Sequence, residues 1–504
     1  MSPGEWGRLP VWQSQEPNME AQTPSTIQLN DSVVFTRTLS SGELHHFYFA
    51  AGGSSIHKRA DPFQLVKREL PVYLTLTSCT QPTPPSNFQG VIPSLELFLS
   101  NSSDTTLPGP SRGMRVNDTH PGRIAWTSNA NEIWIGVVAP TLNNNWSGNW
   151  TYEIAISTTQ WMHPLFIPRG KDDKNTPWMT LDDTDSTNAL FLTNPYTLSQ
   201  APNISVLLTS GVPKELSYSL CAAKPHQVPG YRTNITSTSR GPSEAQRQQV
   251  MVSNLNKDTS YTAYFLQQDG SRLGVGPPIP VQTKNDPNCQ LIYNLEFCDQ
   301  VAYSVPATGS DIWNITASYD AQAKALFQPF DRALSQFNCE TTAYSLVRNC
   351  TDCYNDYKRW LCAVSIPRCT SPSLIDQMNH KPGPAVRRIS GGEARNPWVD
   401  KQFEVNEWTE MLPCIDLCYR VVQSCPPFLQ FFCPEGDLAW LQYGYWQTGT
   451  IETNKTLIDF NVNRPTCNRV GLNTSLLVIS KASNPSLPSY VWPLVIGIVL
   501  FVVM

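Results

Sequence analysis

Residues 350–369 read CTDCYNDYKRWLCAVSIPRC, and residues 413–426 read PCIDLCYRVVQSCP. In the first stretch Cys353, Tyr357, Trp360, Leu361 and Val364 recur at the three- and four-residue intervals of one helix face. In the second, Cys414, Cys418, Val421 and Cys425 fall at i, i+4, i+7 and i+11, again one stripe of a helix. Two helices that each turn sulfur and bulky apolar groups to one side predict a helical module with a core made partly of cystine.

The remaining cysteines gather around these two helices. Twelve of the fourteen follow residue 288: Cys289, Cys298, Cys339, Cys350, Cys353, Cys362, Cys369, Cys414, Cys418, Cys425, Cys433 and Cys467. An even number at clustered spacings implies disulfides and an oxidising compartment, although spacing leaves the pairing open. Cys350, Cys353, Cys362 and Cys369 also number enough thiolates for a zinc site. Eight further cysteines nearby favour cystines, so neither metal nor cofactor is expected. Eleven N-x-[ST] motifs point to the same compartment, at Asn30, Asn101, Asn117, Asn145, Asn149, Asn203, Asn234, Asn314, Asn349, Asn454 and Asn473.

The 504 residues have room for about three domains of ordinary size. Charged residues make up 15% and the net charge is −5, which argues against a nucleic-acid partner. Residues 26–160 alternate short β-like runs with turns: 32–36, 72–77, 95–99, 133–138 and 151–156. They predict an antiparallel β-sandwich domain. A second β domain is expected over 188–285, where Leu255, a short turn and Tyr261 are similar to the fibronectin-III corner, with 281–284 as closing strand. Residues 161–187 read as a linker. Its acids Asp182, Asp183 and Asp185 are candidate calcium ligands, but the loop lacks the glycine of an EF-hand, which favours a solvated acidic turn.

From 286 to 470 the period becomes helical, with Leu326, Phe330, Leu334 and Phe337 as a further stripe. Within it 370–400 is rich in proline and glycine and reads as an exposed loop, in which Arg387-Arg388 is a processing site or an ordinary surface pair. The expected fold class is therefore α+β and multidomain: N-terminal antiparallel β-sandwich domains followed by a disulfide-rich, mainly helical cysteine-rich domain.

The two ends carry expectations of their own. Residues 1–25 are expected to be disordered or misassigned, since 1–30 contain no apolar signal-peptide core. Residues 471–490 read as linker and spacer, and 491–504 are fourteen residues without a charge. A glycosylphosphatidylinositol signal with Ser480 as attachment residue fits this tail, since 483–490 give the polar spacer. A short single span and a buried core segment are the alternatives.

Catalysis has no constellation here. The seven histidines are scattered, and H-E-x-x-H, G-x-S-x-G and G-x-x-x-x-G-K-[ST] do not occur. His45 and His46 are adjacent on an apparent strand, so they point to opposite faces and do not ligate together. The chain is expected not to be an enzyme.

Taken together, C-x2-C-Y-x2-Y-x2-W-L-C…P-R-C over 350–369 and P-C-x3-C-x3-V-x2-C-P over 413–426 resemble the fungal stretch-activated calcium-channel regulatory subunits. That family was first named for mating-pheromone-induced death. The same pattern is similar to the extracellular accessory subunits of the animal sodium-leak channel and, more loosely, to frizzled-type cysteine-rich domains. The resemblance implies a glycoprotein on the extracellular face of the plasma membrane. Its implied partner is a four-repeat pore-forming calcium channel subunit, with the membrane contacted through a lipid anchor or short span. It implies support of stretch- or stress-activated calcium entry, the ion path being expected to belong to the partner. Tyr354, Asp356, Lys358, Arg359, Tyr419 and Arg420 are the candidate partner contacts. A frizzled-like receptor or wall-sensor ectodomain for a lipid, glycan or secreted protein is the alternative.

Overall fold

The computed structural model describes residues 26–51, 69–164 apart from 103, 104, 118 and 144, 179–196, 201–241 apart from 202, 245–269, 272–339, 343–371, 385–452 apart from 448, 457–460 and 465–470. The chain divides into two compact units. One comprises Met1–Pro164 with Val212–Pro225, the other Leu165–Gly211 with His226–Met504.

The first unit is built on two five-stranded sheets. One has the order Ile27–Gln28, Leu44–Ala50, Glu132–Val138, Glu96–Ser100, Met114–Arg115. The other runs Val33–Leu39, Trp150–Ser157, Leu70–Thr80, Arg123–Ala130, Thr119–His120. Their pairings are antiparallel, except that Ile27–Gln28 lies parallel to Leu44–Ala50. Period-two alternation makes one face of each sheet apolar, and both faces feed one core. Phe47, Phe49, Leu97 and Ile135 come from the first sheet, Leu39, Leu74, Leu76 and Ile154 from the second. Each such side chain is worth about 1.5–3 kcal/mol of transfer free energy. Trp150, Tyr152, Ile154 and Ile156 show the alternation on a single strand, all four with 1% exposure or less. A four-residue helix, α1 (Leu220–Ala223), also belongs to this unit, and its Cys221 is bonded to Cys79.

The second unit opens with a β domain. One sheet has the order Met179–Thr184, Asn188–Thr193, Arg247–Ser253, Arg232–Thr238. The other places Ser260–Asp269 between Asn203–Thr209 on one side and Arg272–Val275 and Ile279–Gln282 on the other. The corner expected at Tyr261 is present: its hydroxyl accepts the Asn256 N–H at 2.9 Å, and Leu255 is buried before the turn. The closing strand is Ile279–Gln282, two residues earlier than read, because Val281 pairs with Tyr261. The stretch 161–187, read as a linker, contains the strand Met179–Thr184. Met179 and Leu181 sit in the core of this domain, so that strand belongs to its first sheet.

Among the described residues, five helices carry the cysteine-rich part: α2 (Ile312–Ser335), α3 (Cys350–Ser365), α4 (Pro397–Phe403), α5 (Ile415–Ser424) and α6 (Gly436–Gln442). Three small sheets accompany them, which the helical reading did not contain: Cys289–Ile292 with Tyr303–Pro306, Arg368–Cys369 and Val386–Ile389 either side of Trp408–Met411, and Gly449–Glu452 with Leu457–Phe460. The described part of 370–400 is therefore not simply a loop. Val386 and Ile389 are buried in a strand, and Asn396 caps α4. Residues 372–384 lie outside the described set.

The α2 stripe is phased differently from the expected one. Ile315, Tyr319, Ala323, Phe327, Phe330 and Leu334 are buried, whereas Leu326 is exposed and Phe337 lies past the helix end. Residues 326, 330, 334 and 337 also keep helical spacing, so period alone could not separate the two phases. The molecule is thus an α+β, disulfide-rich protein, with several sheets and few helices among the described residues.

Candidate functional site

Helices α3 and α5 are held by sulfur at several points. Asn349 starts α3 with a capping box: its side chain accepts the Asp352 N–H, and Asp352 accepts the Asn349 N–H, both at 3.0 Å. Cys353 on the first turn is bonded to Cys425 at the end of α5, crosslinking the two helices. Cys362 is bonded to Cys298, Cys369 to Cys289, Cys350 to Cys339, Cys414 to Cys467 and Cys418 to Cys433. The four thiols that would have made a zinc site thus enter four different cystines. Cys79 and Cys221, outside the expected framework, form the seventh.

Aromatic rings fill the space between these bridges. Phe330 stacks on Tyr357 with ring centres 3.6 Å apart, Tyr354 meets Phe327 edge-on at 4.8 Å, and Phe431 closes over Tyr357 at 5.3 Å. Trp360 donates its indole N–H to the Tyr443 hydroxyl at 3.0 Å. The Y-x2-Y-x2-W spacing is what places these three rings along one side of α3.

The candidate partner contacts fare unequally. Tyr354 is half-buried in the aromatic cluster. Asp356 is buried and pairs with Arg359 one turn on, at 3.6 Å. Lys358 reaches Asp299 at 2.9 Å and lies over the Phe297 ring. Four of the six therefore have partners within the protein. Tyr419 is exposed and Arg420 half-buried on α5.

Sequence reasoning chose two tyrosines and four charged groups, and of the exposed apolar residues around α5 and α6 it named only Tyr419. Tyr419 and Val422 on α5, Phe428 and Phe432 after it, and Leu438, Trp440 and Leu441 on α6 are all exposed. Phe432 is 84% exposed. The signal was present in the run Pro426-Pro427-Phe428-Leu429-Gln430-Phe431-Phe432, where Leu429 and Phe431 pack inward while Phe428 and Phe432 stay exposed.

The acidic group at 182–185 proves to be neither a calcium loop nor a solvated turn. Asp183 is buried and accepts hydrogen bonds from Lys284 Nζ at 2.6 Å, Arg368 Nε at 3.2 Å and the Ser304 N–H at 2.9 Å. Burial pushes its carboxyl up, but Arg368 and Lys284 together pull it below the ordinary carboxylate range. Asp182 pairs with Arg240, while Asp185 accepts N–H groups from Thr187, Asn188 and Leu291. Because Arg368 belongs to the cysteine-rich part and Asp183 to the β domain, this ionic group joins the two within the second unit.

Elsewhere, His45 bonds the Tyr152 hydroxyl at 2.8 Å while His46 is buried separately, so the pair does not converge. Arg387 and Arg388 lie in the strand Val386–Ile389, and Arg388 pairs with Glu407 at 2.5 Å. Nine glycosylation-motif asparagines, Asn30, Asn101, Asn117, Asn145, Asn149, Asn203, Asn234, Asn314 and Asn349, are all exposed. Asn454, Asn473, the anchor candidate Ser480 and the tail 491–504 lie outside the described residues.

Fold and site define a disulfide-rich α+β protein whose helical module is tied down by cystines and presents an apolar face. The chain belongs to the Mid1 family, described as "Stretch-activated Ca2+-permeable channel component", whose model matches residues 71–472. It is similar to the "Stretch-activated cation channel yam8" of Schizosaccharomyces pombe, 32% identical over 312 residues, which are 56% of this chain and 61% of that protein. The "Stretch-activated cation channel MID1" of Saccharomyces cerevisiae is 28% identical over 393 residues, 68% of this chain and 66% of the relative. The match thus spans under two thirds of either relative's length. A namesake in Cryptococcus neoformans is 25% identical over 225 residues. These relatives support a channel-related role, and seven disulfides fit a secreted or plasma-membrane protein.

Proposed function

We propose that this chain is the extracellular accessory subunit of a plasma-membrane calcium channel. It docks on a four-repeat pore-forming subunit through its cysteine-rich domain, a frizzled-like module, and supports calcium entry under stretch or stress. The observation that carries this reading is the family match over 71–472, which covers the crosslinked α3–α5 pair in full. Cystines at both ends of α5 support a docking role, since a surface ordered before contact loses less entropy on binding. Attachment through Ser480 or a short terminal span would hold the domain in the membrane plane and raise its effective concentration at the pore. The protein acts by binding and not by catalysis.

The test is calcium uptake under wall stress in a strain lacking the gene, together with affinity capture of the tagged chain from solubilised membranes. Reduced uptake and recovery of a multi-span channel polypeptide are expected. Normal uptake, or capture of a soluble ligand with no channel, would sink the proposal and favour a receptor ectodomain.

A further inference from the structure

Beside the apolar face of α6 lies a cleft of about 380 Å³. Trp360 and Val364 of α3 and Leu441 and Tyr443 at the end of α6 form its apolar and aromatic lining; Arg387 and Arg395 add two guanidinium groups. The Trp360 to Tyr443 hydrogen bond at 3.0 Å fixes two of these walls against each other.

The charge in the cleft is unbalanced. Arg395 donates from Nε and Nη2 to a single oxygen of Glu410, at 2.9 and 2.6 Å. Glu410 is fully buried, and its residue is the strand partner of Arg387. Glu407, on the approach to the Trp408–Met411 strand, is taken by Arg388, whose side chain is largely exposed. Arg395 is thus paired with Glu410, whereas Arg387 makes no ion pair among the described residues, so the lip carries a net positive charge. A guanidinium fork at an apolar wall suits a carboxylate, which it binds through two parallel N–H groups.

The shape indicates what bears that carboxylate. Leu441 belongs both to the cleft and to the exposed α6 face with Leu438 and Trp440, so the apolar lining runs outward over a helix surface. An extended piece of polypeptide can follow such a surface, whereas an acyl chain is better buried in an enclosed tunnel. Between Asn349 and Asn454 the chain has no N-x-[ST] motif, so the segment that builds this face carries no attachment site for a glycan.

The geometry points to this cleft and its α6 rim as the contact for an acidic, apolar segment of the partner subunit. That segment places Asp or Glu beside a leucine, isoleucine or aromatic residue. The carboxylate meets Arg387 and Arg395, and the neighbouring side chain lies between Trp360 and Leu441. This rests on the reading of the protein as a channel accessory subunit, and it assigns the contact surface and the chemistry of what fits there.

Photocrosslinking of the full chain in its own cells tests it, with Leu441→benzoylphenylalanine as probe and Ile235→benzoylphenylalanine as control. The Leu441 probe is expected to form an adduct with an extracellular channel segment that mass spectrometry shows to hold an acid beside an apolar residue. Arg387→Glu should weaken that adduct about tenfold or more, because it sets like charges face to face. Changing the acid of the mapped segment to Lys should restore it in the Arg387→Glu background. Arg387→Gln, which removes the charge without reversing it, should give a smaller loss at normal secretion. An adduct with lipid, with a second copy of this chain or with a segment lacking an acid overturns the inference, as does an Arg387→Glu variant with unchanged crosslinking. If the wild-type chain still captures the channel polypeptide in those cases, the contact surface is wrong and the accessory role stands. If the channel is not captured at all, the accessory role itself fails.

Discussion

Replacing Asp183 by Asn should destabilise the second unit far more than a surface substitution does. Asp183 lies 2.6 Å from Lys284 Nζ and 3.2 Å from Arg368 Nε. At an effective dielectric of about 20 these two attractions are worth roughly 6 and 5 kcal/mol gross. Taking three charges out of water costs several kcal/mol for each, so the intact group is worth little in net terms. The Asn variant loses the attraction and keeps the desolvation of both cations. Lys284 has an escape, because burial already holds its ammonium below the usual lysine range and it can shed its proton. Doing so from the ordinary lysine value at pH 7 costs about 1.4 kcal/mol per pH unit, roughly 5 kcal/mol in all, which limits the penalty. The expected loss is about 3–5 kcal/mol. Urea unfolding of the secreted full chain, followed by tryptophan fluorescence at pH 7, should move the transition of this unit down by about 1–2 M for a slope near 2–3 kcal/mol/M. The folded carboxyl titrates below its unfolded value. Its contribution is therefore complete above about pH 4 and disappears as pH falls through the folded pKa, so the gap between wild type and Asp183→Asn should narrow in that acid range. A variant within 1 kcal/mol of wild type at pH 7 would refute the reasoning.

Two other perturbations are as direct. Removing both cysteines of the Cys353–Cys425 bridge, which spans 72 residues, should cost about 4 kcal/mol, against about 3 for the 11-residue Cys339–Cys350 bridge. Thermal unfolding of the two double-serine variants should give that order, and the reverse order would show that native strain or residual structure outweighs loop entropy. Thr351→Ala removes the glycosylation motif at Asn349 but leaves the α3 cap, while Asn349→Gln removes both. Each should lose one glycan by mass, and Asn349→Gln alone should lower stability by about 1 kcal/mol. An unchanged mass in Thr351→Ala means that Asn349 carries no sugar.

Local periodicity told much of this fold in advance. Strands such as Glu132–Val138 and Trp150–Ser157 bury one face, so a period of two marked them clearly. The cysteine stripe of α5 was visible for the same reason, and Tyr261 because a corner needs a specific side chain at a specific offset. What failed was non-local. Asp183 looked solvated because its cations lie 101 and 185 residues away in sequence. Asp356, Lys358 and Arg359 looked like free contacts because nothing in their spacing shows that Asp299 or a neighbouring turn neutralises them. The exposed Phe428 and Phe432 before α6 were missed from the opposite habit, since a run of Phe and Leu is ordinarily read as core.

The bond between Cys79 and Cys221 also bears on how the chain is made. Cysteines 79 and 221 are consecutive in the sequence, with none between them. At about 5–20 residues per second, synthesis leaves the first thiol unpaired for roughly 7–30 s before the second appears across the 142-residue gap. The intervening chain adds no rival thiol during that interval. Among the twelve that follow, Cys298–Cys362 is nested within Cys289–Cys369 and Cys418–Cys433 within Cys414–Cys467, while Cys353–Cys425 crosses from one group to the other, and there order of appearance alone would pair them wrongly. Cutting the gene after residue 164 to isolate the first unit would strand Cys79 permanently, because its partner returns only with residues 212–225.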